Sequence, residues 1–167
     1  MFFFGLVGAI TLLAALAGRL GLPGMPNWPA RMRVGLAVML GLAGVDHLAN
    51  PERYLPMLPD IFPRKLEIVL FTGLCEIAGG IGLVVPRLRR IAGVLLAVYF
   101  VCVFPANIKN AITGGAGLTG LPEQEWYYWA RLAFQPLVIW WSLRAAEVIS
   151  WPLSSLHGKV MARTRRD

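Results

Sequence analysis

An apolar run from Leu66 to Val85 carries a carboxylate, Glu76, at its centre, with ten residues of the run before it and nine after. Such a run is long enough to cross a bilayer as a helix. An ionised side chain at the midplane costs roughly 2.5 to 3.5 kcal/mol even on the lenient insertion scale. A chain that keeps one there needs a partner or a task for it. What Glu76 faces therefore bears directly on function.

The surrounding sequence makes a membrane bundle the expected fold. The chain is 57% apolar and 15% charged, with a mean hydropathy of +0.62, outside the range of soluble domains. Besides Leu66–Val85, apolar runs extend over Phe2–Leu22, Val34–Ala49, Ile91–Ile112 and Trp126 to about Ala146. Breakers fill the spaces between them: Pro23, Pro26 and Pro29, then Pro51, Pro56, Pro59 and Pro63, then Pro86, then Gly114, Gly115, Gly117 and Pro122. The expectation is an all-α polytopic transmembrane bundle of five helices forming a single membrane domain over residues 1–167. The N-terminal helix covers 2–22, the core about 33–146, and a basic tail 147–167.

The net charge of +7 would suggest nucleic acid in a soluble protein. Here the basic residues sit between or after the apolar runs, where they orient the chain and meet lipid headgroups. Membrane lipid is the expected partner and nucleic acid is not. Counting Lys and Arg on alternate sides gives eleven against five. The richer side holds Arg19, Arg31, Arg33, Arg87, Arg89, Arg90 and the tail, so the N-terminus is expected outside and the C-terminus in the cytoplasm. Cleavage after Ala15-Leu16-Ala17 would invert that count, which favours a retained first helix. Cys75 and Cys102, in mid-run without a Cys-x-x-Cys motif, read as small core residues.

The polar residues within the runs fall in the outer half of the expected bundle. Asp46 and His47 end the second run, and Glu76 lies deeper on the third. Asn107 and Asn110 share a face of the fourth, while Arg131 and Gln135, four apart, share a face of the fifth. Asp46, His47, Glu76, Asn107, Arg131 and Gln135 form the candidate ligand-binding set, in a polar pocket open to the outer leaflet. Each also has a structural reading. His47 can cap carbonyls, Asn107 can serve backbone groups freed by Pro105, Arg131 can snorkel from the aromatic belt Trp126–Trp129, and Gln135 can join helices. For Glu76 the structural reading is an ion pair with Arg131. Gly73 and Gly80 share its face, leaving either close helix contact or room for a ligand. The segment from Asn50 to Arg64, rich in proline and apolar residues, reads as an interfacial cap over this cluster. No metal-ligand spacing is present. A haem held by two histidines is not expected, since His47 is the one histidine in the runs and His157 belongs to the tail.

From Arg33 to about Ser142 the chain resembles the DoxX-like small bacterial membrane proteins. The segments that carry the likeness are Leu42-Ala43-Gly44-Val45-Asp46-His47-Leu48 and Tyr54-Leu55-Pro56-Met57-Leu58-Pro59. They continue with Thr72-Gly73-Leu74-Cys75-Glu76-Ile77-Ala78-Gly79-Gly80, Phe104-Pro105-Ala106-Asn107-Ile108 and Arg131-Leu132-Ala133-Phe134-Gln135. The resemblance implies a four-helix core, to which Phe2–Leu22 adds a leading helix. It implies an inner-membrane location and an association with quinone-linked or periplasmic redox systems. His47, Glu76, Asn107, Arg131 and Gln135 occupy the family's motif positions. Three functions follow as expectations: an accessory redox protein binding a quinone or similar amphipathic molecule, a non-catalytic structural or assembly subunit of a membrane complex, and an enzyme acting on a lipid-like substrate.

Overall fold

The computed structural model describes residues 2–20, 25, 27–115 and 124–150. Pro23, Pro26, most of the glycine-rich connector with Pro122, and the tail bearing His157 lie outside the described residues. All regular structure within them is helical. Helix α1 is Phe2–Arg19, α2 Trp28–Ala49, α3 Lys65–Val84, α4 Arg89–Cys102, α5 Phe104–Ile112, α6 Glu125–Ala133 and α7 Gln135–Ala145.

The helix ends follow local chemistry. Asn27 opens α2 by accepting the Ala30 N–H at 3.0 Å, with Pro29 in the first turn, where a missing N–H costs nothing. This start lies six residues before the apolar run, so α2 reaches 22 residues. Helix α2 stops before Pro51, and α3 fits between Pro63 and Pro86.

Two runs expected as single helices are broken. Phe104-Pro105 separates α4 from α5 at Val103, and Gln135-Pro136 separates α6 from α7 at Phe134. In each case proline removes the N–H that would have continued the hydrogen-bond ladder. Taking Arg89–Ile112 as one bent span, three helices among the described residues are long and apolar enough to cross a membrane, the others being Trp28–Ala49 and Lys65–Val84.

Helices α2, α3, α4 and α7 enclose the main core, built on Leu36, Leu40, Leu83, Leu96, Phe100 and Val138. A second cluster, Ala111 with Tyr127 and Tyr128, joins α5 to α6. Helix α1 lies against α2, burying Val7, Thr11 and Ala14. Outward faces remain apolar: Phe71, Leu74 and Ile81 of α3 and Ile91, Leu95 and Val98 of α4 are all exposed. Cys102 is exposed too and Cys75 half-buried, and both are free thiols. The expectation of two core cysteines is corrected for Cys102, whose side of α4 faces away from the bundle.

Helix direction gives the bundle two ends. At one lie the C-terminus of α2 with His47, the start of α3, α5 and the start of α6. At the other lie the N-terminus of α2 with Arg33, the end of α3, the start of α4 and the end of α7. An ion cluster ties the second end together. Arg33 donates to the Ala145 carbonyl at 2.9 Å, and Glu147 stands 3.9 Å from Arg33 and 3.1 Å from Arg89.

Candidate functional site

Glu76 is buried between α2 and α4, with 7% of its surface exposed. Tyr99 of α4 donates its hydroxyl to Oε1 at 2.8 Å. Nδ1 of His47, on α2, lies 3.2 Å from Oε2, but the two atoms are poorly aligned and neither has another hydrogen-bond partner. Three helices thus converge on one carboxylate. The His47 side chain keeps 13% of its surface exposed.

This closeness depends on glycine. A Cβ on Gly73 would lie 2.8 Å from the His47 Cβ and 2.9 Å from the Gly44 carbonyl; one on Gly80 would lie 3.0 Å from the Ala37 carbonyl. Helix α2 therefore occupies the strip beside Glu76, settling the glycines' role as close helix contact. Of the two readings left open for Gly73 and Gly80, close helix contact and room for a ligand, the structure has the first.

The cap over His47 consists of two short 3-10 turns, Pro51–Arg53 and Leu55–Met57. Tyr54 sets its ring edge-on to His47, with centroids 3.9 Å apart. Its hydroxyl donates to Asp46 Oδ2 at 2.5 Å. Burial, and after it the hydrogen bond to Asp46, push the Tyr54 phenol well above its ordinary range, so it remains a donor. Asp46 accepts further from Asn50 at 2.6 Å and Arg53 at 3.4 Å. Asp46 therefore faces the cap, and reaches His47 only through Tyr54. Farther along, Lys109 of α5 donates to the carbonyls of Pro56 and Leu58 at 2.8 and 2.7 Å. Lys65 donates to exposed Asp60 at 2.5 Å and holds that carboxyl below its usual range.

The remaining candidates form a separate node at the two helix breaks. Asn107 donates to Gln135 Oε1 at 3.0 Å, and Gln135 donates to the Phe100 carbonyl at 2.6 Å. Arg131 reaches Asn107 at 3.5 Å and lies over the Tyr127 ring at 5.8 Å. No ion pair joins Arg131 to Glu76, whose partners are His47 and Tyr99. The six candidates thus divide into a His47–Glu76 centre, Asp46 in the cap and an Asn107–Arg131–Gln135 node.

Sequence reasoning missed Tyr99, which reads as one more large residue in an apolar run. Its position 23 residues from Glu76 on the next helix was the one available signal. It also missed the Arg33–Arg89–Glu147 cluster, having assigned no polar set to that end.

No curated protein and no solved structure matches the chain. A family model described as Domain of unknown function (DUF8561) matches residues 36–146. That segment is well over half of the chain and includes every residue of the centre, cap and node. The chain belongs to this family, a domain of unknown function.

Proposed function

We propose that the protein is a five-span, DoxX-like membrane protein of the bacterial inner membrane that binds a quinone or a similarly small amphipathic molecule as an accessory part of a redox system. Its N-terminus lies outside and its C-terminus in the cytoplasm. The observation that carries the reading is the His47–Glu76 pair. A buried carboxylate and an imidazole stand 3.2 Å apart without an aligned bond between them, each on a helix long and apolar enough to span a membrane. Such a pair can accept or return one proton when a bound hydroxyl or carbonyl changes its protonation state. Tyr99 holds the second carboxylate oxygen, leaving Oε2 for that exchange. Approach would be along the part of the His47 ring that stays exposed, beside the edge-on Tyr54 ring. Helices α1 and α6–α7 would supply the remaining two spans.

The test is mass spectrometry of lipids and quinones extracted from gently purified protein. A quinone retained by the parent and lost in Glu76→Gln and in His47→Ala supports the reading. Its absence from the parent, together with no binding of added ubiquinone or menaquinone, overturns it.

The α2–α3 contact favours a second reading, a structural or assembly subunit. The glycine strip is closed by α2, so the polar centre also serves to fix helix register. A large copurifying partner that is lost on Gly73→Leu, with no small molecule retained, would favour it.

A further inference from the structure

The end of the bundle opposite His47 has an arginine excess. Arg33, Arg87, Arg89, Arg90 and Arg144 stand there, and Glu147 is the one carboxylate at that end among the described residues. Glu147 is already engaged by Arg33 and Arg89. Arg90, the next residue on α4, points elsewhere: it is exposed and has no acidic partner among the described residues.

Beside Arg90 is a groove of about 380 Å³ lined by Ile91, Val94, Leu95 and Val148. Ile91, Val94 and Leu95 are consecutive exposed positions of one α4 face. Val148 supplies the facing wall because the chain reverses just before it. Glu147 adopts a φ of 58°, a left-handed conformation uncommon for a residue with a side chain. The N–H groups of Val148 and Ile149 then turn back to the Leu143 carbonyl. The Arg89–Glu147 ion pair holds this reversal against the start of α4.

We propose that this groove binds one anionic phospholipid, its phosphate on Arg90 and the upper part of an acyl chain along Ile91, Val94 and Leu95. A free anion would use the arginine and leave the apolar walls without a partner. An acidic peptide or nucleic acid would likewise leave them bare. A zwitterionic lipid brings its own ammonium to an end already in positive excess. An anionic lipid satisfies both the charge and the walls. From Arg90 to Leu95 the face extends roughly 8 Å along the helix, which matches the headgroup and first methylenes of a chain. The site rests on the membrane reading but not on quinone binding, and its test uses a different ligand.

The experiment measures thermal unfolding of the full chain in a mild uncharged detergent during titration with phosphatidylglycerol, phosphatidylcholine or inorganic phosphate. Phosphatidylglycerol is expected to raise the melting temperature by several degrees more than phosphatidylcholine, and phosphate to have no effect. Arg90→Gln should weaken apparent phosphatidylglycerol affinity roughly fivefold. Arg90→Lys should restore most of it, and Arg53→Gln at the other end should leave it unchanged. Because Arg90 is exposed, its substitution leaves the core intact. Equal shifts with both lipids, the same loss in Arg53→Gln as in Arg90→Gln, or a phosphate shift as large as the lipid's would each overturn the proposal.

Discussion

Tyr99 donates its hydroxyl across the α3–α4 interface to Glu76 at 2.8 Å, and so occupies one of the two carboxylate oxygens. Removing that donor leaves a buried acceptor unsatisfied. Tyr99→Phe should destabilise the protein by about 1–3 kcal/mol, the usual cost of orphaning a buried group. In the background of Glu76→Leu the same change should cost less, because the acceptor is gone. Unfolding of the four proteins of this cycle in detergent measures the coupling. Equal costs in both backgrounds would mean that the bond contributes nothing.

Glu76 and Arg131 provide the contrasting case. Arg131 engages Asn107 and the Tyr127 ring, and shares no partner with Glu76. The effects of Arg131→Leu and Glu76→Gln on stability should therefore add to within about 0.5 kcal/mol. A partial rescue of Arg131→Leu by Glu76→Gln would instead restore the ion pair expected from sequence.

Gly73→Leu should wedge α3 away from α2, costing about 1–3 kcal/mol as overpacking does. It should also separate His47 from Glu76, since the added Cβ alone would stand 2.8 Å from the His47 Cβ. Gly41 of α2 is the control, because a Cβ there meets nothing within 4 Å. Gly41→Ala should be neutral or stabilise by about 0.5–1 kcal/mol through helix propensity. Melting temperatures of the two variants, compared with the parent, decide the matter.

The cap should loosen at alkaline pH. Tyr54 has its folded pKa raised above the ordinary phenol value of 10.0. Its protonated form is favoured by folding, so the contribution is complete below that value and is lost as pH rises through the folded one. Ultraviolet difference spectroscopy should find one tyrosine ionising later than a free phenol outside the apolar helices. In Tyr54→Phe the late-ionising signal should fall by one tyrosine, along with the associated alkaline loss of stability. An unchanged titration in Tyr54→Phe would assign the step elsewhere.

A fluorescent protein fused after Asp167 should fluoresce, and alkaline phosphatase at the same position should be inactive. This follows from the eleven-to-five Lys/Arg asymmetry. The reverse pattern would invert the proposed orientation and exchange the leaflets assigned to the His47 centre and the Arg90 groove.

Depth along a helix was legible in the sequence, and rotation about its axis was not. Counting residues from the breakers placed Glu76 in mid-helix and His47 in the last turn of α2, and both positions hold. The same counting could not say that Glu76 turns toward Tyr99 and His47 while Arg131 turns toward Asn107. Gly73 and Gly80 were correctly read as sharing a face with Glu76, but a glycine face looks alike whether a ligand or a helix covers it. Pro105 and Pro136 were visible breakers inside runs whose continuous hydrophobicity masked them. Glu147 follows the last run, at the start of what reads in sequence as a basic tail. Only the folded chain brings it to Arg33, 114 positions earlier, and Arg89, 58 earlier.

The breaks at Val103 and Phe134 are bridged by the Gln135 amide bonded to the Phe100 carbonyl. They divide the molecule at the level where its two apolar clusters part, with Ala111, Tyr127 and Tyr128 on one side and Leu36, Leu40, Leu83 and Leu96 on the other. Gln135 of α7 ties Phe100 of α4 within the larger part, and Asn107 of α5 reaches the same Gln135, so the two parts meet on one shared side-chain amide. Lys109 of α5 also holds the Pro56 and Leu58 carbonyls, so the far half of the cap is registered to the level of the helix breaks, while its near half is registered through Tyr54 and Asp46 to α2.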